Sequence, residues 1–203
     1  MRHGARAEQE RILAEWLAHY DWQVFGTLKF TDGESIAERN GEAIARKFFN
    51  SLDRAYLGKS MVDAGHRLDR VVFKQFGHSG SNLHFHFIAI PTSSVGHFCE
   101  TARCLWDDAS TRTMGYENTV IEPVRSATRS GSYGLHEYRK LGADTLYLDA
   151  THLHQKHVRT KPIQHLRRLL NRQDKNEHTK ERGLRRQTDA MRRRNMAAQA
   201  APH

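Results

Sequence analysis

Among its 203 residues the chain has only two cysteines and four prolines, and no run of about 18 apolar residues that could cross a bilayer. Each shortage closes a class of answer. Cys99 and Cys104 are spaced so that they fall on different faces of one predicted helix. They make neither a disulfide framework nor a zinc site, and they fit a reducing cytoplasm. No membrane span is expected, and Met1 to Arg6 leads into an amphipathic helix rather than the apolar core of a secretion signal. The sequence holds no Gly-x-x-x-x-Gly-Lys-Ser/Thr, so a fused P-loop helicase is not expected.

What is present is charge of one sign in one place. Residues 155–203 carry 14 Lys/Arg against 4 Asp/Glu, a net +10, which leaves the first 154 residues at −1 of the chain's +9. A near-neutral body is therefore expected over 1–150. The tail over 151–203 is expected to be basic, helical or partly disordered, densest at Arg167-Arg168, Arg185-Arg186 and Arg192-Arg193-Arg194. Such a tail attracts phosphate backbones without reading sequence.

Hydrophobic periodicity predicts the body's elements. A helix over 7–20 is marked by Ile12, Leu13, Trp16 and Leu17, and a strand over 23–30 ends at Thr31-Asp32-Gly33. A helix over 34–57 carries Ile36, Ile44, Phe48, Leu52 and Tyr56. Strands over 70–76 and 83–90 flank the turn 77–82, and Pro91 stops the second. Val95, Phe98, Cys99, Ala102 and Leu105 mark another helix, 119–124 a short strand, and 127–141 a last helix ended by Gly142. The order βαββαβ predicts an α+β, ferredoxin- or RRM-like split βαβ fold with an antiparallel sheet, plus the N-terminal helix. Two helices should cover one face and leave the other accessible.

The sharpest signal is Leu83-His84-Phe85-His86-Phe87-Ile88-Ala89-Ile90. Strand side chains alternate, so His84 and His86 share the accessible face while Leu83, Phe85 and Phe87 take the packed one. Paired neutral imidazoles in an otherwise apolar segment can grip one divalent ion. A second His-x-His, His152-Leu153-His154, has no apolar run behind it and reads as incidental. The neighbouring strand and turn offer Lys74, Gln75 and His78 as third ligand. A cation cannot ligate, which removes Lys74, whereas the Gln75 carbonyl oxygen suits a hard ion such as Mg²⁺ or Mn²⁺.

On the last predicted helix, Tyr133, His136 and Lys140 fall on one side. A phenol flanked by groups that are cationic, or become so, suits nucleophilic attack on a phosphodiester. Tyr138 lies about 140° round from Tyr133 and is expected to be structural.

Over roughly residues 20–145 the chain resembles the HUH endonucleases, and among them the single-tyrosine, Rep-like rolling-circle replication initiators of phages and plasmids. The motifs that carry the likeness are Phe25-Gly26-Thr27-Leu28-Lys29-Phe30, the pair His84-Phe85-His86, and the helical Tyr133. His136 stands where the family has a lysine, and Gln75 where many relatives have a glutamate. The resemblance implies a Mg²⁺- or Mn²⁺-dependent nickase and strand-transferase for single-stranded DNA or a hairpin origin. The ion would be held by His84, His86 and Gln75. Tyr133 would form a 5′-phosphotyrosyl link, aided by His136 or Lys140, and a host helicase and polymerase would act with it. Lys29, Lys74, Arg125, Arg129, Arg167, Arg168, Arg185 and Arg186 are the basic residues expected to meet the DNA. A transposase or relaxase of the same family is an alternative. So is a non-catalytic module of the same fold, stacking bases on Phe25, Phe30, Phe73 and Phe85.

Overall fold

The computed structural model describes residues 2–153, without the side chains of 2–4 and 127–130. The chain divides into a unit Met1–Pro162 and a unit Ile163–His203, the latter wholly outside the described residues. The expected tail arginines Arg167, Arg168, Arg185 and Arg186 lie there, and the Arg129 side chain is likewise outside the description. Among the described residues, no helix is long and apolar enough to cross a membrane.

The elements run α1 (Arg2–Leu17), β1 (Val24–Lys29), α2 (Glu38–Leu57), α3 (Lys59–Asp63), β2 (Asp69–Gln75), β3 (His84–Ile90), α4 (Val95–Ala109), β4 (Val120–Pro123), α5 (Ala127–Gly134) and α6 (Tyr138–Leu141). The molecule is α+β. Among the described residues a four-stranded sheet has the order β2-β3-β1-β4 with every neighbour antiparallel. The turn between β2 and β3 is made by Gly77 and Gly80, both at positive φ where a side chain would be strained. Helix α4 begins at Ser94, whose hydroxyl accepts from the His97 N–H at 3.4 Å.

Strand alternation sorts the two faces. Phe85 and Phe87 of β3 point toward α2 and α4 and meet Phe30, Phe48 and Phe49 ring to ring. Phe98 and Trp106 complete this fully buried aromatic layer. Burying each such side chain contributes on the order of 1.5–3 kcal/mol. One charged pair sits within it. Arg70, 2% exposed, and Asp53, fully buried, form two parallel bonds of 2.6 and 2.9 Å.

The opposite face is not left open as the element order predicts. A second apolar cluster joins Val71, Phe73 and Ile88 to Leu17 and Trp22, and to Leu135 and Tyr138. Helix α1 and the α5–α6 segment therefore cover the β2–β3 half of this face. Tyr138 is buried there as the structural anchor expected of it. The stripe expected on α1 is split: Leu17 is buried, while Ile12 and Trp16 are exposed.

Two further expectations are corrected. The outer edge of β2 is paired with the chain after α6, through Tyr147 N–H to Val72 O (2.9 Å) and His152 N–H to Arg70 O (2.9 Å). The packed body thus runs past residue 150, and His152, read as incidental, closes an edge through its backbone. The predicted helix 127–141 is broken into α5 and α6. Gly134 sits so close to the Phe73 ring that a Cβ there would come within 2.4 Å of it. The chain is pressed onto the sheet at that point.

Candidate active site

His84 and His86 emerge side by side on the face opposite the aromatic layer, their ring centroids 5.0 Å apart. Register places Thr27 beside His86 and Lys29 beside His84 on β1, and Gln75 beside His84 on β2. The hairpin and β1 thus deliver two imidazoles, an amide, a hydroxyl and an ammonium to one patch.

Each imidazole is oriented from behind. His84 Nδ1–H donates to the Asn82 carbonyl at 2.8 Å, which leaves Nε2 with its lone pair. His86 Nδ1 lies 2.9 Å from Thr27 Oγ1. Its Nε2 is buried and has no hydrogen-bond partner. Gln75 repeats the pattern: its Nε2–H donates to the Gly134 carbonyl at 2.8 Å, and its buried Oε1 has no partner. An orphaned buried polar atom costs about 1–3 kcal/mol. Two of them, one on each of two adjacent strands, mark a place built for something else.

The protonation states agree. Burial, with His84, His136 and Lys29 nearby, pushes the His86 pKa down to about 3. Burial likewise lowers His84. Both rings are neutral near pH 7, the form that donates a lone pair to a metal. Among the described residues no three His, Cys, Asp or Glu side chains gather to hold an ion. The residues of this patch that could hold a divalent cation are His84 and His86, through Nε2, and Gln75, through its amide oxygen. That N/N/O set suits Mn²⁺ or Mg²⁺ rather than a soft thiophilic ion. His78, the other candidate ligand, is exposed in the β2–β3 turn.

Tyr133, at the end of α5, is 55% exposed. Its ring stands edge-on to His86 at 5.1 Å and to Phe25 at 5.8 Å. His136 lies 5.1 Å from Tyr133 and 6.1 Å from His86, centroid to centroid. The break after α5 does not carry His136 away, because its Nδ1–H donates back to the Tyr133 carbonyl at 2.7 Å. Lys140 is carried away. Its Nζ donates to the Gly77 carbonyl at 3.4 Å, in the β2–β3 turn rather than beside the phenol. The helical spacing that predicts it there fails at the break.

Lys74 is also corrected. Alternation along β2 turns it to the α2 face, where it is paired with Glu38 and, at 2.9 Å, Glu42. It does not share a face with the histidines. Lys29 does, and is exposed; the Arg125 side chain is 89% exposed, with Glu122 at 4.0 Å.

One residue escaped sequence reasoning. Glu137 is only 6% exposed, accepts the Phe76 N–H at 2.9 Å, and holds its other oxygen 3.7 Å from His136 Nε2. A carboxylate between Leu135 and Tyr138, both core positions, was the available signal. Beside Tyr133 a cleft of about 440 Å³ is lined by Phe25, Glu122, Pro123, Val124, Arg125 and Ser126.

Comparison of the chain with protein-family models, curated proteins and solved structures found no match.

Proposed function

We propose that this chain is a metal-dependent enzyme that nicks and rejoins single-stranded DNA through Tyr133, an HUH endonuclease acting as a rolling-circle replication initiator. The observation that carries the reading is the meeting of an exposed phenol with a buried imidazole whose Nε2 is unpartnered, 5.1 Å ring to ring. The strand order β2-β3-β1-β4, antiparallel throughout, supports the split βαβ arrangement that the element order predicts.

The chemistry follows from the side chains. A divalent ion, when bound by His84, His86 and Gln75, supplies positive charge toward the nonbridging oxygens of the scissile phosphate. Tyr133 Oη attacks phosphorus, the P–Oη bond forms, and the P–O3′ bond breaks. His136 Nε2 accepts the phenol proton, and Glu137, 3.7 Å from that same nitrogen, balances the imidazolium. The leaving 3′ oxygen takes up a proton from water and becomes the free hydroxyl. Attack by a 3′ hydroxyl on the phosphotyrosine reverses these bonds and rejoins the strand.

The base-stacking module without catalysis is the weaker reading. Phe30, Phe73 and Phe85 are all buried, which leaves Phe25 as the one of its four platforms that is not. Labelled single-stranded oligonucleotides incubated with the protein and Mn²⁺ should yield a slower-migrating covalent species that chelation prevents. Tyr133→Phe should lose that species and keep its DNA affinity. An equal adduct yield from the variant removes Tyr133 as nucleophile.

A further inference from the structure

We infer that the cleft beside Tyr133 is a base-reading subsite, which takes one nucleobase carrying an exocyclic amino group next to the phosphate under attack. The inference rests on the nicking reading for its biological setting, but not for its test. Three observations support it.

The cleft, about 440 Å³, shares Tyr133 as a wall with the histidine site, so a strand whose phosphate lies at the phenol has its neighbouring base at the cleft mouth. The other walls suit a flat ring. Phe25, Pro123 and Val124 are apolar, and Phe25 is itself held by the His86 ring, stacked at 5.6 Å and 23°. A base stacked on such an aromatic is worth a substantial part of single-strand affinity whatever its identity.

The polar groups give the identity. Register pairs Phe25 with Glu122 across β1 and β4, which sets the carboxylate on the same face as the ring. An ionised carboxylate only accepts hydrogen bonds. It suits the amino group of cytosine, adenine or guanine and opposes the carbonyl at the same position of thymine or uracil. Arg125, at the rim and largely exposed, is placed for the flanking phosphate, and Ser126 adds a hydroxyl at the same wall. A carboxylate acceptor beside the apolar walls of Phe25, Pro123 and Val124, with Arg125 4.0 Å from it at the rim, is the arrangement that discriminates rather than merely holds.

The test compares two strands that differ at C4, an amino group in cytosine and a carbonyl in uracil, and in the N3 proton that accompanies the carbonyl. Fluorescein-labelled 15-mers of deoxycytidine and of deoxyuridine are titrated with full-length protein, read by anisotropy at fixed salt without added metal. The wild type should bind the cytosine strand about tenfold more tightly, the low end of what one good base contact supplies. Glu122→Leu should reduce that ratio to about twofold or less by losing affinity for cytosine alone. Val124→Trp, which fills the cleft, should weaken both strands. Equal affinities in the wild type, or a ratio unchanged by Glu122→Leu, overturn the subsite. Repeating the titration with Tyr133→Phe separates the two readings. A ratio that persists in a protein forming no adduct supports the cleft independently of the chemistry, and nicking by a wild type with no ratio sinks the cleft alone.

Discussion

The two faces of the sheet are built by opposite rules from the same strands. On the α2–α4 face, Phe48, Phe49, Phe85, Phe87, Phe98 and Trp106 are buried against one another, and the fully buried charges, Asp53 and Arg70, satisfy each other and the backbone around them. On the other face, His86 and Gln75 are buried just as deeply yet each keeps an atom without a partner. A single residue step along β3, from Phe85 to His86, passes from one regime to the other. Among the described residues the other buried atoms without a partner are at Asp32, Ser93 and Thr145, and only His86 and Gln75 bring two of them together on neighbouring strands. Buried polar groups left unmatched are what a folding sequence avoids unless a ligand completes them.

Substitutions on each face should break this contrast in graded ways. The largest effect is expected from Asp53→Ala, which strands the buried Arg70 guanidinium and should cost about 3–5 kcal/mol in chemical denaturation. Tyr133→Phe on the other face removes an exposed hydroxyl, and should stay within about 0.5 kcal/mol of the wild type in the same measurement. Similar losses from both would erase the distinction.

Acid should act through the histidine face. The folded His86 has its pKa lowered from the ordinary histidine value to about 3, and His84 moves the same way. The unfolded chain therefore binds protons first as pH falls, and stability present above about pH 6.5 is lost progressively toward pH 3. For His86 the loss should reach about 2 kcal/mol by pH 5. His86→Leu should flatten that slope, and a slope unchanged in the variant would deny His86 the part given to it.

The same substitution sharpens the comparison at neutral pH. Replacing an imidazole that holds an orphan nitrogen with an apolar side chain should raise stability by about 1 kcal/mol, while Mn²⁺ binding followed by electron paramagnetic resonance disappears. A variant that is destabilised and still binds Mn²⁺ would show the nitrogen to be satisfied otherwise. A further effect is expected of Gln75→Glu. A carboxylate in place of the amide should tighten Mn²⁺ by about three- to tenfold, even though the donor to the Gly134 carbonyl is lost. Weaker binding would place the third donor elsewhere.

The sequence made the strands and the histidine pair legible because alternation is a local property. His84 and His86 had to share a face once β3 was a strand, and Thr27 came to stand beside His86 through register. Alternation also held the information that the DNA-binding assignment of Lys74 overlooked, since Lys74 shares parity with Val72 and Arg70 on the α2 side of β2. What spacing could not give was the break between α5 and α6. It depends on the close approach of Gly134 to Phe73, a contact between residues far apart in the chain. Lys140 was misplaced for that reason. His136 kept its place only through its bond to the Tyr133 carbonyl. The covering of the β2–β3 half by α1 was hidden similarly: Leu17 and Trp22 announce burial, but not against which surface.

The Gln75 side chain is a tether with two ends. Its nitrogen is fastened to the carbonyl of Gly134, the residue after Tyr133, and its oxygen is free to take a load. Any pull on the oxygen is transmitted to the turn that aims the phenol, and any strand that shifts the phenol tugs back. Occupancy of one end should then be felt as altered affinity at the other, by the same factor in both directions.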